Sequence, residues 1–124
     1  MYLCSRKMKE YLIISTSVEL VRIAADDVLC ILADGNYSTI TAVNGESRVV
    51  TLQLGQVERL IANQLTSGNT DFIRIGKSLI INRQYINYIN IQKQQLALSD
   101  GKSASIMLTA SKEALKQLKD LLVG

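Results

Sequence analysis

The sequence predicts a mainly β domain with two short helices (α+β), built of small antiparallel sheets. Three observations carry this expectation. Short apolar and β-branched runs are punctuated by Asp34-Gly35-Asn36, Asn44-Gly45 and Asp100-Gly101, all turn-forming sequences. The apolar period becomes helical in two places, after Thr51 and after Ser111. The connections between strand-like runs are too short for the crossovers that parallel pairing needs.

Taken in order, Arg6, Lys7, Lys9 and Glu10 cluster in a first stretch that reads as a loose leader. Tyr11 to Ser15 and Val18 to Ala24 look like strands, the second alternating Val21 and Ile23 with Glu19 and Arg22. Asp26-Asp27 turns the chain into an apolar strand from Val28 to Leu32. Tyr37 to Val43 is rich in β-branched residues and lies between two turn signals. Asn-Gly suits a tight hairpin because both residues tolerate positive φ, so Val28 to Val50 should be a three-stranded meander. Leu54, Val57, Leu60, Ile61 and Leu65 share one face of a helix placed at Leu52 to Leu65, with Thr51 or a neighbour able to cap its first amides.

A polar loop, Thr66 to Asp71, leads into the stretch around which the chain is organised, Phe72 to Ile86. There Ile73 and Ile75 alternate with Arg74, the pattern breaks at Gly76-Lys77-Ser78, and Leu79-Ile80-Ile81 resumes it. A cationic corner thus sits between two β segments, with Gly76 allowing a turn or a close approach. Tyr88 to Gln92 and Gln95 to Ser99 read as paired strands, Asp100-Gly101 turns, and Ser103 to Leu108 returns. Ser111 is placed to cap a closing helix that buries Leu115, Leu118, Leu121 and Leu122, with Glu113 near its positive end.

A chain of 124 residues can bury one core. Its apolar runs are too short to span a membrane, and Tyr11 to Ile14 is too short for a signal-peptide core. The expectation is a cytoplasmic protein in which Cys4 and Cys30 are free thiols and the sequon Asn36-Tyr37-Ser38 is only a turn. The net charge of +3 is uneven: residues 1–50 hold five Lys/Arg against six Asp/Glu, residues 51–124 nine against five. A phosphate-rich partner is drawn to the second half, which contains the Gly76-Lys77-Ser78 corner.

Catalytic chemistry finds little purchase. There is no histidine, which removes the commonest general base, the commonest metal ligand and every Ser-His or Cys-His pair. Gly76-Lys77-Ser78 matches the tail of a P-loop, but Asp71 stands where that motif needs its first glycine, and a strand-like run follows where it needs a helix. Asp26-Asp27 reads as a solvated turn rather than a carboxylate pair. No catalytic residue, cofactor or metal is expected.

Phe72-x-Arg74-x-x-Lys77-Ser78-Leu79-Ile80-Ile81-Asn82 resembles the signature of LytTR-type DNA-binding domains, typically Phe-Ile-Arg-Val-His-Arg-Ser-Tyr-Leu-Val-Asn. Asp26-Asp27-Val28 with Asp34 to Ser38, the helix from Leu52, Leu96-x-Leu98-x-Asp100-Gly101 and Ser111-Lys112 resemble further parts of that family in the same order. The resemblance divides the chain into a leader and first strand, residues 1–17, and the domain itself, residues 18–124. It implies a small-sheet β fold and a transcriptional regulator whose loops enter successive major grooves of double-stranded DNA. Carried over residue by residue, it places Asn36, Ser38, Arg74, Lys77, Ser78, Ser111 and Lys112 at the DNA.

Lysine can donate to guanine O6 and N7, and serine to either base class or to phosphate. Other readings stand beside these. Lys77 also reads as a solvated loop lysine, Ser111 as a helix cap, Asn82 as a turn-closing side chain, and Arg74 as a brace for the neighbouring loop. Gly76 stands where the family usually has His, and Lys77 and Lys112 replace arginines, so point charges take the place of bidentate forks. Family members usually carry a phosphorylated receiver domain, as in two-component response regulators. This chain has no room for one, so the expectation is a stand-alone regulator or a fragment, acting at repeated promoter sites as a homodimer or with a regulatory protein partner. The alternative is a protein-interaction module on the same fold without base reading.

Overall fold

A computed structural model describes residues 10–66, 71–102 and 104–123. The leader with Cys4, positions 67–70 of the polar loop, Ser103 and Gly124 lie outside the described residues. Strands β1 (Tyr11–Ser15) and β2 (Leu20–Ala24) form a separate hairpin. A five-stranded sheet follows, made of β3 (Val28–Asp34), β4 (Tyr37–Ala42), β5 (Ser47–Val50), β6 (Phe72–Ile75) and β7 (Leu79–Asn82) in the order β5-β4-β3-β7-β6. Helix α1 (Leu54–Gln64) connects β5 to the β6–β7 hairpin. Strands β8 (Ile86–Asn90), β9 (Gln95–Ser99) and β10 (Ser105–Thr109) make a third sheet, and α2 (Lys112–Val123) closes the chain. Every pairing is antiparallel.

The five-stranded sheet is the middle layer because its central strands are apolar on both faces, the composition that double coverage demands. Val28, Ile31 and Ile80 pack on one side with Leu12 and Ile14 of β1 and with Leu54, Val57 and Ile61 of α1. Leu29, Cys30, Leu79 and Ile81 pack on the other with Leu96, Leu98, Leu115 and Leu118. The boundary expected between residues 17 and 18 falls in the β1–β2 turn, and Leu12 and Ile14, on its N-terminal side, are fully buried.

Several local expectations shift. Asn44-Gly45 does not form a two-residue turn: Thr41 pairs with Ser47, the Ala42 and Glu46 backbones bond, and Gly45 has φ +91° while Asn44 keeps negative φ. The Asn44 Oδ1 instead accepts the Glu46 amide at 2.9 Å, an Asx turn. Helix α1 begins later than Leu52. Of the expected caps, Thr51 or a neighbour, it is the neighbour Gln53 that serves, in a capping box whose Gln56 Oε1 reaches back to the Gln53 amide at 2.9 Å. On α2, Leu121 is 53% exposed, because Leu115, Leu118 and Leu122 define the buried stripe and Leu121 stands on its flank. The strand expected at Tyr88 to Gln92 runs from Ile86 to Asn90, since a four-residue turn occupies positions 91–94 with Gln94 at φ +56°.

Asn82 ties the lower end of the middle sheet. Its Nδ2 donates to the Val28 carbonyl at 2.9 Å and the Ala25 carbonyl at 3.3 Å, and its Oδ1 accepts the Gln84 amide at 3.3 Å. Beside it the Tyr85 hydroxyl donates to the Asp26 carbonyl.

Candidate nucleic-acid interface

Strand directions decide which loops meet. Strand β3 rises into the two-residue turn Gly35-Asn36, and β7 descends from the three-residue turn Gly76-Lys77-Ser78, with Leu32 opposite Leu79. Both turns therefore stand at the same end of the sheet. The Ala33 amide donates to the Ser78 carbonyl at 2.8 Å, joining them directly. Strand β5 rises to the same end and delivers the start of α1, where the Gln53 Nε2 donates to the Asn36 Oδ1 at 3.1 Å.

The Gly76-Lys77-Ser78 turn is fixed by its own carbonyls. Arg74 donates from Nε to the Gly76 carbonyl at 3.1 Å and from a terminal nitrogen to the Lys77 carbonyl at 3.2 Å. Its other terminal nitrogen makes a 2.7 Å ion pair with Glu58 of α1. With Ser78 bonded to Ala33, all three turn carbonyls have partners, and the side chains of Lys77 and Ser78 are left exposed. Gly76 has φ +60°, and a Cβ there would meet nothing within 4 Å, so conformation and not space calls for glycine.

The expected site residues divide. Asn36, Lys77 and Ser78 are exposed on neighbouring turns. Ser38 is not on a reading loop: it is fully buried in β4, and its hydroxyl donates to the Leu52 carbonyl at 2.8 Å. The alternation of β4 turns it inward once Tyr37 points out. Arg74 is a brace. Ser111 caps α2, its Oγ accepting the Ala114 amide at 3.1 Å, while Lys112 beside it is exposed.

Sequence reading missed Glu58 and Gln53, the partners of Arg74 and Asn36. Each lies 16 or 17 residues from its partner, and no local pattern announces such a pair. It also missed Lys93. The turn that carries Lys93 is tied to the residue before Ser111, since Gln94 bonds both backbone groups of Ala110 at 3.3 Å, so two exposed lysines flank the start of α2.

Among the described residues, no cluster of acidic or cysteine side chains is arranged to hold a metal ion. The Cys30 thiol is pushed up to about 11 by burial, opposed in part by a hydrogen bond with Thr41. It is inert in the sense that a thiolate nucleophile is not.

Asn36, Lys77 and Ser78 thus stand exposed on braced turns at one end of the β scaffold, the kind of position from which loops carry function. The comparisons with known proteins give the family. The sequence model of the LytTr DNA-binding domain matches residues 18–123, and the chain belongs to that family. Its fold is similar to a solved LytTr DNA-binding domain from Bacillus cereus, at a TM-score of 0.64 and 19% identity, covering 93% of this chain and 98% of that one. No curated protein matches the chain. Among the described residues, no helix is long and apolar enough to cross a membrane.

Proposed function

We propose that this domain is a transcriptional regulator that reads double-stranded DNA through its loops. The turns at Gly35-Asn36 and Gly76-Lys77-Ser78 enter one major groove, and the start of α2 with Lys112 and Lys93 meets the next. Lys77 is the base-reading cation, Asn36 offers its Nδ2, and Ser78 and Lys112 hold phosphates. Repeated promoter sites would bring two copies together, and a regulatory protein is a further partner.

One observation carries this reading: every carbonyl of the 76–78 turn is tied down, so the Lys77 side chain projects from a fixed backbone. A lysine on a rigid turn loses less freedom on meeting a base edge than one on a loose loop.

The test is selection of bound duplexes from a random-sequence pool at near-physiological salt, with wild type and Lys77→Ala in parallel. The expected result is a repeated motif that Lys77→Ala relaxes at one position, at a cost of about 1–3 kcal/mol. Recovery of no motif, with binding that vanishes as salt rises, would leave a protein-interaction module on this fold as the better account.

A further inference from the structure

Two separate bonds run from α1 to the two turns. Gln53, immediately before its first residue, holds Asn36 at 3.1 Å. Glu58, five positions further on and about 7.5 Å along a helix axis, holds Arg74 at 2.7 Å, and Arg74 in turn holds the Gly76 and Lys77 carbonyls. Val57, between the two links, and Ile61, beyond them, are buried in the core and hold the helix against a shift toward one turn alone.

We propose that α1 is a strut that fixes the two turns in one relative position, with Glu58 and Gln53 as positioning residues for DNA reading. This rests on the assignment of those turns to DNA. Glu58 is the sharper test because its charge, though paired with Arg74, has the wrong sign for a phosphate-rich partner. A carboxylate beside a surface that meets phosphates repels them, so on charge alone its removal strengthens DNA binding. As a positioning group its removal does the opposite to specific binding: Arg74 loses its anchor, the turn it braces loosens, and Lys77 is no longer held at one base.

The experiment compares wild type, Glu58→Gln, Lys77→Ala and the double variant. Each is titrated against the duplex recovered by selection and against a scrambled duplex, and amide relaxation of Lys77 and Ser78 is recorded in the free proteins. Glu58→Gln should weaken specific binding roughly 5- to 10-fold, with the effect shrinking to less than about 2-fold when Lys77 is already Ala. Scrambled-duplex binding should be unchanged or tighter, and the Lys77 and Ser78 amides should lose order. A Glu58→Gln protein that binds the selected duplex as tightly as wild type or more so, with turn amides as ordered as before, overturns the strut alone. A wild type that selects no motif overturns the DNA assignment, and the positioning role falls with it.

Discussion

Replacing Asn82 with Ala should be among the most destabilising single changes outside the apolar core. The side chain is 1% exposed and makes three hydrogen bonds, of which the 2.9 Å bond to the buried Val28 carbonyl has the best geometry. Losing one good bond costs about 1 kcal/mol, and a buried carbonyl left without a partner adds roughly 1–2 kcal/mol. The sum is about 2–3 kcal/mol, or a fall in melting temperature of about 8–12 °C for a domain of this size. Urea unfolding should show the midpoint falling with an unchanged slope. Asn82→Asp sharpens the test. A carboxylate would face the Val28 and Ala25 carbonyls without a donor, which raises its folded-state pKa. Its stability is then retained below about pH 4 and lost as pH rises above it. A loss under about 1 kcal/mol for Asn82→Ala, or no pH dependence for Asn82→Asp, would refute the assignment of Asn82 as a buried tie.

Two further outcomes follow from buried groups. Ser38→Ala removes the donor to the Leu52 carbonyl and should cost about 1–2 kcal/mol in chemical denaturation; the DNA motif recovered by selection should be the same as for wild type, and an altered motif would mean that Ser38 reaches the DNA after all. Cys30, raised from 9.0 to about 11, stabilises the fold while both states are protonated, and that contribution is lost as pH rises from about 9 to 11. Cys30→Val should therefore flatten the decline in stability over that window by up to roughly 2–3 kcal/mol, read as the difference between the two proteins' unfolding midpoints against pH.

The layers were legible because burial leaves a direct mark on sequence. The near-continuous apolar runs of Val28 to Leu32 and Leu79 to Ile81 announce strands covered on both faces, and the helical spacing from Leu54 announces a helix covered on one. The Gly76-Lys77-Ser78 corner was legible because a polar break within an apolar alternation has few structural uses. What was not legible depended on contacts distant in sequence. Nothing near Ser38 reveals that the Leu52 carbonyl awaits its hydroxyl, and Arg74 reads as a phosphate ligand or a brace until α1 is seen to place Glu58 against it. Asn44-Gly45 shows the same limit on a smaller scale, since the pair specifies a turn but strand register chooses its length.

The end of α1 opposite the turns has its own role. The Gln64 carboxamide accepts the Ile13 amide and donates to the Ile13 carbonyl, both at 2.8 Å, on the edge of β1 away from β2. A side chain there takes the hydrogen bonds that another strand would make. Ile13 and Leu20 are 40% and 62% exposed on this hairpin, an apolar surface beside an open edge of the kind that seeds sheet-to-sheet aggregation. At Ile13, midway along that edge, a neighbouring chain finds the backbone groups already taken from within the same molecule. The far end of the helix thus guards the middle of the exposed strand, while its near end holds the turns.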